Sequence, residues 1–563
     1  MKRFIYTSSI LICLVSFSQQ ANTHDSLYII QDSVLIPTKS GVPISAIIVQ
    51  AKKQTDPLPA ILFYTTYHQG VGDAILGKRS ANRGYVGVVA YARGIRSDLD
   101  KYAPYENESS DIYDIIEWMS KQSWCNGSVG MNGGSYTGFS QWSAMKNPHP
   151  ALKTIVPQVA VMPGFDTPME NNVPIGNILH WSHDNIYKLP ALPRWLLFEY
   201  FDSGIAFRSL DTLAGPSNPI FQKWLDHPSY DAYWQSLVPS PEEYSNIKIP
   251  VLSTTGYYDG AQLGALQYYK LHTKYNLSAE HYFVVGPYDH WGGQRKASPV
   301  LMDYEIDSVA ITNMDDLAFA WLNYILKNAP KPELLKDRFN FQVMGANEWR
   351  HAPSMSKINT DTLTFFLSNV SSGDTLKLSD KNQKKGFSSL TVDFKDREVQ
   401  HTFYTPSIIF DTLDASNGLV FMTEPFSFDF SINGSFGGDL VTTCNKQDMD
   451  ISLAIYELMP NGKYFFLTRY VGRASYAKDN SKRTLLRPNK KELLPIGQTR
   501  FISRQIQKGS RLVALLNINK HPFEIINYGS GKDVSEETIR DAGEPLYIKW
   551  HTDSQIRIPI KRD

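Results

Sequence analysis

The sequence predicts an α/β domain that is interrupted by a helical insertion and followed by an all-β domain. Short runs rich in β-branched and aromatic residues alternate with helix-like segments over residues 44–160, which is typical of a parallel sheet covered by helices on both faces. Residues 162–248 are rich in tryptophan and proline and predict a helical cap over that sheet. Beyond Phe339, short apolar runs separated by turn residues predict a β-sandwich.

Length and composition agree with several domains. A chain of 563 residues is too long for one hydrophobic core. We predict the α/β domain in two parts, 26–161 and 249–335, with the cap at 162–248 between them and the all-β domain at 339–563. The 56 basic and 56 acidic side chains balance and form no long runs, so neither nucleic acid nor an anionic membrane is an expected partner.

The N-terminus has the features of a secretory signal peptide. Lys2 and Arg3 precede an apolar stretch, Phe4 to Val15, that is too short to cross a bilayer comfortably. Small residues at 16 and 18 suit cleavage after Ser18, which predicts a signal peptide at 1–18 and a mature protein that is periplasmic or secreted. An uncleaved membrane anchor is the alternative. Apart from export, we expect no interaction with a membrane.

Periodicity predicts the individual elements of the α/β domain. Apolar runs at 44–49, 60–65 and 85–92 are strand-like, and residues 111–119 place four apolar side chains on one helical face. A strand at 128–131, a helix near 137–145 and a strand at 154–161 follow. After the cap we expect strands at 251–258 and 281–286 around a helix at 265–271, and a closing helix near 315–326.

A serine flanked by glycines stands between the predicted strand at 128–131 and the predicted helix after it. In the stretch from Gly133 to Gly138, Ser135 has the setting of a nucleophile elbow, where small residues permit a sharp turn that exposes the hydroxyl near a helix N-terminus. The pattern is G-x-S-x-x-G, because Thr137 stands where the second glycine is usual. A Gly-Gly-Ser turn without chemistry is the alternative.

An acid and a histidine follow the next two predicted strands. Asp259 follows the strand at 251–258 and His290 follows the strand at 281–286, so the chain order is Ser135, Asp259, His290, as in α/β-hydrolases. Loops at the carboxyl ends of parallel strands converge on one rim, which would bring the three together. We predict Ser135 as nucleophile, His290 as general base and Asp259 as the residue that orients His290. Asp289 is a rival acid, but as the neighbour of His290 we expect it to point elsewhere.

Several motifs together resemble the X-Pro dipeptidyl-peptidase and cocaine esterase family of serine hydrolases, which includes α-amino acid ester hydrolases and glutaryl cephalosporin acylases. The motifs that carry the resemblance are Arg93-Gly94, the stretches 113–118 and 126–131, the elbow 133–138, Gly256-Tyr257-Tyr258-Asp259-Gly260 and Gly286-Pro287-Tyr288-Asp289-His290. The resemblance implies the same triad. It also implies an oxyanion hole formed by the hydroxyl of Tyr67 and the backbone N–H of Tyr136, and a C-terminal domain of jelly-roll type.

The resemblance also bears on substrate. Acidic residues after the catalytic aspartate help α-amino acid ester hydrolases bind the substrate ammonium, whereas here Gly260-Ala261-Gln262 follow Asp259. The chain is therefore closer to the esterase-like members, and we expect a small ester, amide or short peptide as substrate. X-Pro dipeptidyl-peptidase activity is the runner-up. Tyr91 is a further departure, since the family often has an aspartate there.

Other classes of function are less well supported. No H-E-x-x-H or paired C-x-x-C spacing and no phosphate-binding glycine loop occurs, so we expect neither metal nor other cofactor. Cys125 and Cys444 are far apart in sequence, and we expect two separate buried thiols. A secreted binding protein without catalysis, and a carbohydrate-binding role for the β domain, are the alternatives. Nothing in the sequence predicts an oligomeric state.

Overall fold

The computed structural model describes residues 26–188, 192–193, 195–382, 385–401 and 407–562. The predicted signal peptide at 1–18 lies outside the described residues. Within those ranges, no helix combines the length and the apolar character that a membrane span requires.

The first part of the α/β domain contains each strand and helix that its periodicity predicts, together with a strand at 28–36 and a helix at 74–81 that were not predicted. The strands at 44–51, 58–65, 86–91 and 152–158 are almost fully buried, as expected for a sheet covered on both faces. The elements are β1 (Tyr28–Ile36), β2 (Ile44–Ala51), β3 (Leu58–Thr65), α1 (Ala74–Ala81), β4 (Val86–Tyr91), α2 (Glu108–Ser120), β5 (Cys125–Gly134), α3 (Tyr136–Ala144) and β6 (Leu152–Gln158).

The segment after β6 consists mainly of short helices. Polar residues define where they start: the Asn218 side chain accepts from the backbone N–H of Phe221, and Ser240 and Glu243 form a reciprocal capping box. The elements are β7 (Met169–Glu170), β8 (Val173–Pro174), α4 (Ile178–His180), a π-helical stretch (Trp181–Ile186), α5 (Trp195–Ser203), α6 (Leu210–Ala214), α7 (Pro219–Leu225), α8 (Ala232–Leu237) and α9 (Pro241–Asn246).

The α/β pattern then resumes. The elements are β9 (Val251–Gly256), α10 (Gln262–Tyr275), β10 (His281–Gly286), β11 (Val300–Leu301), β12 (Tyr304–Glu305), α11 (Met314–Lys327), β13 (Phe339–Val343) and β14 (Glu348–Ala352). A pair of buried histidines lies between β10 and α10: the two Nδ1 atoms of His272 and His281 are 3.2 Å apart, and His281 also contacts the hydroxyl of Ser253 at 2.9 Å.

The α/β domain has one sheet with the order β1-β2-β4-β3-β5-β6-β9-β10-β13-β14. From β4 to β13 neighbouring strands are parallel, whereas β1, β2 and β14 pair antiparallel at the edges. The prediction of a parallel sheet is therefore right for the centre and wrong for the edges. In addition, the sheet extends through β13 and β14 into the range predicted for the all-β domain, which starts at 339. The five residues of β13 are all buried, and a short apolar run does not reveal which sheet it joins.

The remaining chain forms the β-rich C-terminal domain. The predicted strands at 362–367, 419–422, 453–456 and 512–518 all fall within observed ones. The strands are β15 (Asp361–Ser372), β16 (Thr375–Ser379), β17 (Phe387–Val392), β18 (Ile409–Phe410), β19 (Leu419–Met422), β20 (Phe430–Ser435), β21 (Gly437–Cys444), β22 (Asp450–Leu458), β23 (Tyr464–Arg473), β24 (Lys491–Ile496), β25 (Phe501–Ile506), β26 (Arg511–Ile518), β27 (Leu546–His551) and β28 (Gln555–Arg562).

Buried polar contacts join the β domain to the rest of the chain. The carboxamide of Gln262, at the start of α10, accepts from the backbone N–H of Phe501 at 2.7 Å and donates to its carbonyl at 2.9 Å. Arg500 binds both carboxylate oxygens of Glu170 at 2.7 and 2.6 Å. Because these groups are buried, each has to be paired, and the pairs fix how the domains dock.

Candidate active site

Ser135 lies in a strained turn between β5 and α3. Its backbone has φ 63° and ψ −123°, a conformation that residues other than glycine rarely adopt. The turn is held by a bond from Ser135 N–H to the carbonyl of Gln158 at 3.0 Å and by bonds from the N–H groups of Gly138 and Phe139 to the carbonyl of Ser135. The turn therefore has the geometry of a nucleophile elbow.

The packing of α3 explains the unusual glycine spacing. A Cβ at Gly138 would lie 2.8 Å from the carbonyl oxygen of Gln158 and 2.9 Å from Ala160, so only glycine lets α3 approach the end of β6 this closely. At Thr137 the side chain is accommodated and buried. In this chain the helix position that requires glycine is therefore 138 and not 137, and the sharp turn at Ser135 is retained.

His290 and Asp259 form a close pair on the loops that follow β10 and β9. His290 Nδ1 is 2.7 Å from Asp259 Oδ1. The Asp259 carboxylate is completely buried, and it also accepts from the Ala261 N–H at 2.9 Å (Oδ1) and from the Thr255 hydroxyl at 2.7 Å (Oδ2). Parallel pairing of β9 with β10 brings the two loops side by side.

Each member of this pair shifts the pKa of the other. Burial favours the neutral form of Asp259, but the His290 charge and the three hydrogen bonds outweigh it and hold the pKa of Asp259 below its usual value. Burial also opposes a charge on His290. The charge of Asp259 and its hydrogen bond outweigh that effect and raise the pKa of His290 above 6.5.

Asp289 does not compete for His290. Its Oδ1 accepts from the backbone N–H groups of Trp291 at 3.1 Å and Gly292 at 2.7 Å, so the carboxylate closes its own loop. The structure therefore pairs His290 with Asp259, the acid that the sequence favours.

Tyr67 follows β3 and reaches the nucleophile. Its Oη lies 3.4 Å from Ser135 Oγ, and its ring packs edge-on against Tyr136 with centroids 6.4 Å apart. The Tyr136 N–H is at the start of α3, where backbone donors have no partner within the helix. Both predicted oxyanion-hole groups therefore lie beside Ser135.

The histidine loop packs against the elbow, although Ser135 and His290 form no hydrogen bond with each other among the described residues. Gln294 donates to the His290 carbonyl at 2.9 Å, and its side chain fills the space where a Cβ at Gly134 would be. In free enzymes such catalytic contacts are often long and tighten once substrate binds.

A buried carboxyl group supports the residue after the nucleophile. The hydroxyl of Tyr136 donates to Glu108 of α2, which also accepts from the Tyr105 N–H at 3.1 Å. Burial raises the pKa of Glu108 to about 7. The sequence shows only an acid in the first turn of a helix, and nothing in it indicated this contact.

Tyr91 has a role that the sequence did not reveal. Its hydroxyl donates to Asp73 Oδ2 at 2.6 Å, and Asp73 in turn binds His68 Nδ1 at 2.7 Å and the Gln69 N–H at 3.0 Å. These contacts hold the loop that begins with Tyr67. The tyrosine in place of the family's usual aspartate thus anchors a loop of the site from beneath.

Comparisons with known proteins agree with this architecture. Residues 40–292 match the family model of the X-Pro dipeptidyl-peptidase (S15 family), and residues 336–514 match that of the X-Pro dipeptidyl-peptidase C-terminal non-catalytic domain. Cocaine esterase from Rhodococcus sp. (strain MB1 Bresler) is 22% identical over 575 residues, which cover 92% of this chain and 95% of the esterase.

Solved structures show the same fold along nearly the whole chain. An aminopeptidase from the marine sediment archaeon Thaumarchaeota archaeon has a TM-score of 0.81 at 19% identity and covers 95% of this chain and 96% of its own. An α-amino acid ester hydrolase has a TM-score of 0.79 at 20% identity, with coverage of 95% and 97%. A CocE/NonD family hydrolase from Staphylococcus aureus has a TM-score of 0.69 at 16% identity, with coverage of 95% and 94%.

The fold and the comparisons define a hydrolytic enzyme with an α/β-hydrolase-like domain and a β-rich C-terminal domain. The chain belongs to the X-Pro dipeptidyl-peptidase family, within the serine hydrolases and esterases, as its motifs indicated.

Proposed function

We propose that the protein is an exported serine hydrolase that cleaves carboxylic esters or amides through an acyl-enzyme. The observation that carries this proposal is the strained backbone of Ser135, which places its hydroxyl 3.4 Å from that of Tyr67 on the rim that also bears the His290–Asp259 pair. Export rests on the N-terminal pattern of a basic pair, an apolar stretch and small residues.

In the proposed mechanism, Ser135 Oγ attacks the substrate carbonyl while His290 Nε2 takes its proton. Asp259 keeps the proton of His290 on Nδ1 and stabilises the imidazolium that forms. The Tyr67 hydroxyl and the Tyr136 N–H donate to the oxygen that becomes negative. His290 then returns the proton to the leaving group, and water releases the acyl group by the same steps.

The residues after Asp259 bear on the substrate class. Gly260, Ala261 and Gln262 follow it, and none of them carries a carboxylate that could pair with a substrate ammonium. Asp259 itself is completely buried and is engaged with His290. This favours simple esters and amides over dipeptides with a free amino terminus.

The proposal is tested by active-site labelling. The mature protein and Ser135→Ala would be treated with a fluorophosphonate and then given acyl esters, acyl amides and X-Pro anilides. We expect labelling of the parent alone and turnover of the esters or amides. Turnover of X-Pro anilides alone would support the peptidase alternative, and no labelling of either protein would refute the mechanism and favour a binding protein.

A further inference from the structure

The hydroxyl of Tyr67 has a second neighbour, which comes from the helical segment after β6. Trp181 Nε1 lies 3.3 Å from Tyr67 Oη, and the same oxygen lies 3.4 Å from Ser135 Oγ. The hydroxyl therefore stands between an indole and the nucleophile. The residues that form this chain of contacts are far apart in sequence, since Tyr67 and Trp181 are separated by 114 positions.

The direction of the first hydrogen bond is fixed by chemistry. An indole N–H is a donor only, so the Tyr67 oxygen must accept from Trp181. A phenol has one proton, and with its oxygen already accepting from one side that proton is free to point to the other side, where Ser135 and the developing oxyanion lie. Accepting one hydrogen bond also makes the phenol a stronger donor in the next one.

The indole is held in place by stacking. Its ring lies nearly parallel to Tyr105, with centroids 6.1 Å apart at 12°, and to Tyr136 at 6.2 Å and 26°. Trp224 contacts it at 5.7 Å. Since Tyr105, Tyr136 and Trp224 are buried, the N–H of Trp181 is directed at Tyr67 before any substrate binds.

We propose that Trp181 is a positioning residue that orients the Tyr67 hydroxyl toward the oxyanion, so that the helical segment after β6 completes the oxyanion hole. This inference rests on the proposed function. It assigns the N–H of Trp181 a role in the rate of the chemical step, distinct from any packing of its ring against substrate.

The sharpest perturbation removes the N–H and keeps the ring. Trp181→Phe retains an aromatic face against Tyr105 and Tyr136, and replacement of Trp181 by its benzothienyl analogue retains the full bicyclic shape. We expect either change to lower kcat for a small ester by about 2- to 12-fold, the effect of one neutral hydrogen bond, with KM nearly unchanged. Trp234→Phe is the matched control, since it removes an indole N–H of the same helical segment that donates to the His227 carbonyl at 2.9 Å and not to Tyr67, and we expect parent-like kcat.

A double-mutant cycle separates orientation from packing. If Trp181 acts through Tyr67, then in a Tyr67→Phe background the Trp181→Phe change should have no further effect on kcat. Additive losses, a rise in KM alone, or parent-like kcat in the benzothienyl variant would overturn the inference. If the parent protein itself showed no labelling and no turnover, the proposed function would fail instead, so the two failures are distinguishable.

Discussion

The replacement Asp259→Asn has an outcome that the local hydrogen bonds decide. Oδ1 of Asp259 faces two donors, His290 Nδ1 at 2.7 Å and the fixed N–H of Ala261 at 2.9 Å, whereas Oδ2 accepts, among the described residues, from the hydroxyl of Thr255. An amide nitrogen placed at Oδ1 would oppose a backbone N–H. We therefore expect the asparagine oxygen to take the Oδ1 site and the Thr255 hydroxyl to rotate and accept from the amide.

The magnitude follows from that orientation. His290 keeps its proton on Nδ1, so the variant avoids the loss of about 10⁴-fold that a wrong tautomer causes. What it loses is the charge opposite the imidazolium, worth about 4 kcal/mol for a pair 4 Å apart near a protein surface. We discount this because the His290 side chain is 31% exposed. We expect kcat/KM to fall by about 10²- to 10³-fold.

The pH profile gives a second readout. In the parent the pKa of His290 is raised, so kcat/KM should increase with pH through a midpoint above 6.5 as His290 loses its proton. Without the Asp259 carboxylate, burial dominates and lowers the pKa of His290, so the acid limb of the variant should move to lower pH.

The assay is hydrolysis of a chromogenic ester between pH 5 and 9, with Asp289→Asn as control. Because the Asp289 carboxylate closes its own loop and does not contact the His290 ring, the control should lose less than about 3-fold. A loss of 10⁴-fold or more in Asp259→Asn, or an acid limb that stays in place, would refute the reasoning.

Three further outcomes are expected. Tyr91→Phe removes a hydrogen bond beneath the loop that carries the oxyanion tyrosine, and should lower kcat by about 3- to 10-fold with little change in melting temperature. Gly138→Ala forces α3 away from β6 and should lower the free energy of unfolding by about 1–3 kcal/mol in a denaturant titration, whereas Gly72→Ala, with open space around it, should not. Burial lowers the pKa of His272 to about 4 and that of His281 well below 6.5, so the folded state binds fewer protons than the unfolded state as pH falls from 6.5 to 4 and is progressively destabilised. In His272→Gln, the free energy of unfolding should fall less over that range, with a difference of about 3 kcal/mol at pH 4. An unchanged pH dependence of that free energy would contradict the assignment.

The candidate triad could be predicted from the sequence because its signals are local. Ser135, Asp259 and His290 each follow a run that reads as a buried strand, and parallel pairing gathers the ends of such strands on one rim. The chain order Ser, Asp, His then assigned a role to each residue. The only further assumption was a parallel sheet, and the central strands of the sheet are parallel as predicted.

Groups that act across long sequence separations gave no such signal. Trp181 appears in the sequence as one tryptophan among several in an irregular region, and its contact with Tyr67 depends on how short helices fold back over the sheet. Strands β13 and β14 fall in the range predicted for the all-β domain but belong to the first sheet, because an apolar run does not identify the strand with which it pairs. Strand β1 went unpredicted because it lies at an edge of the sheet, where seven of its nine residues are exposed or half-buried, so it has no buried apolar run.

The carboxamide of Gln262 makes the hydrolase domain dependent on its neighbour. Gln262 lies three residues beyond Asp259, and its side chain takes both hydrogen bonds that the backbone of Phe501 would otherwise make to a neighbouring strand. In a hydrolase domain expressed alone, this side chain would lose both partners at the base of the loop that carries the acid. The β-rich domain thus supports the loop that carries Asp259, and a foreign domain in its place would have to offer the Gln262 side chain the same backbone donor and acceptor to keep that support.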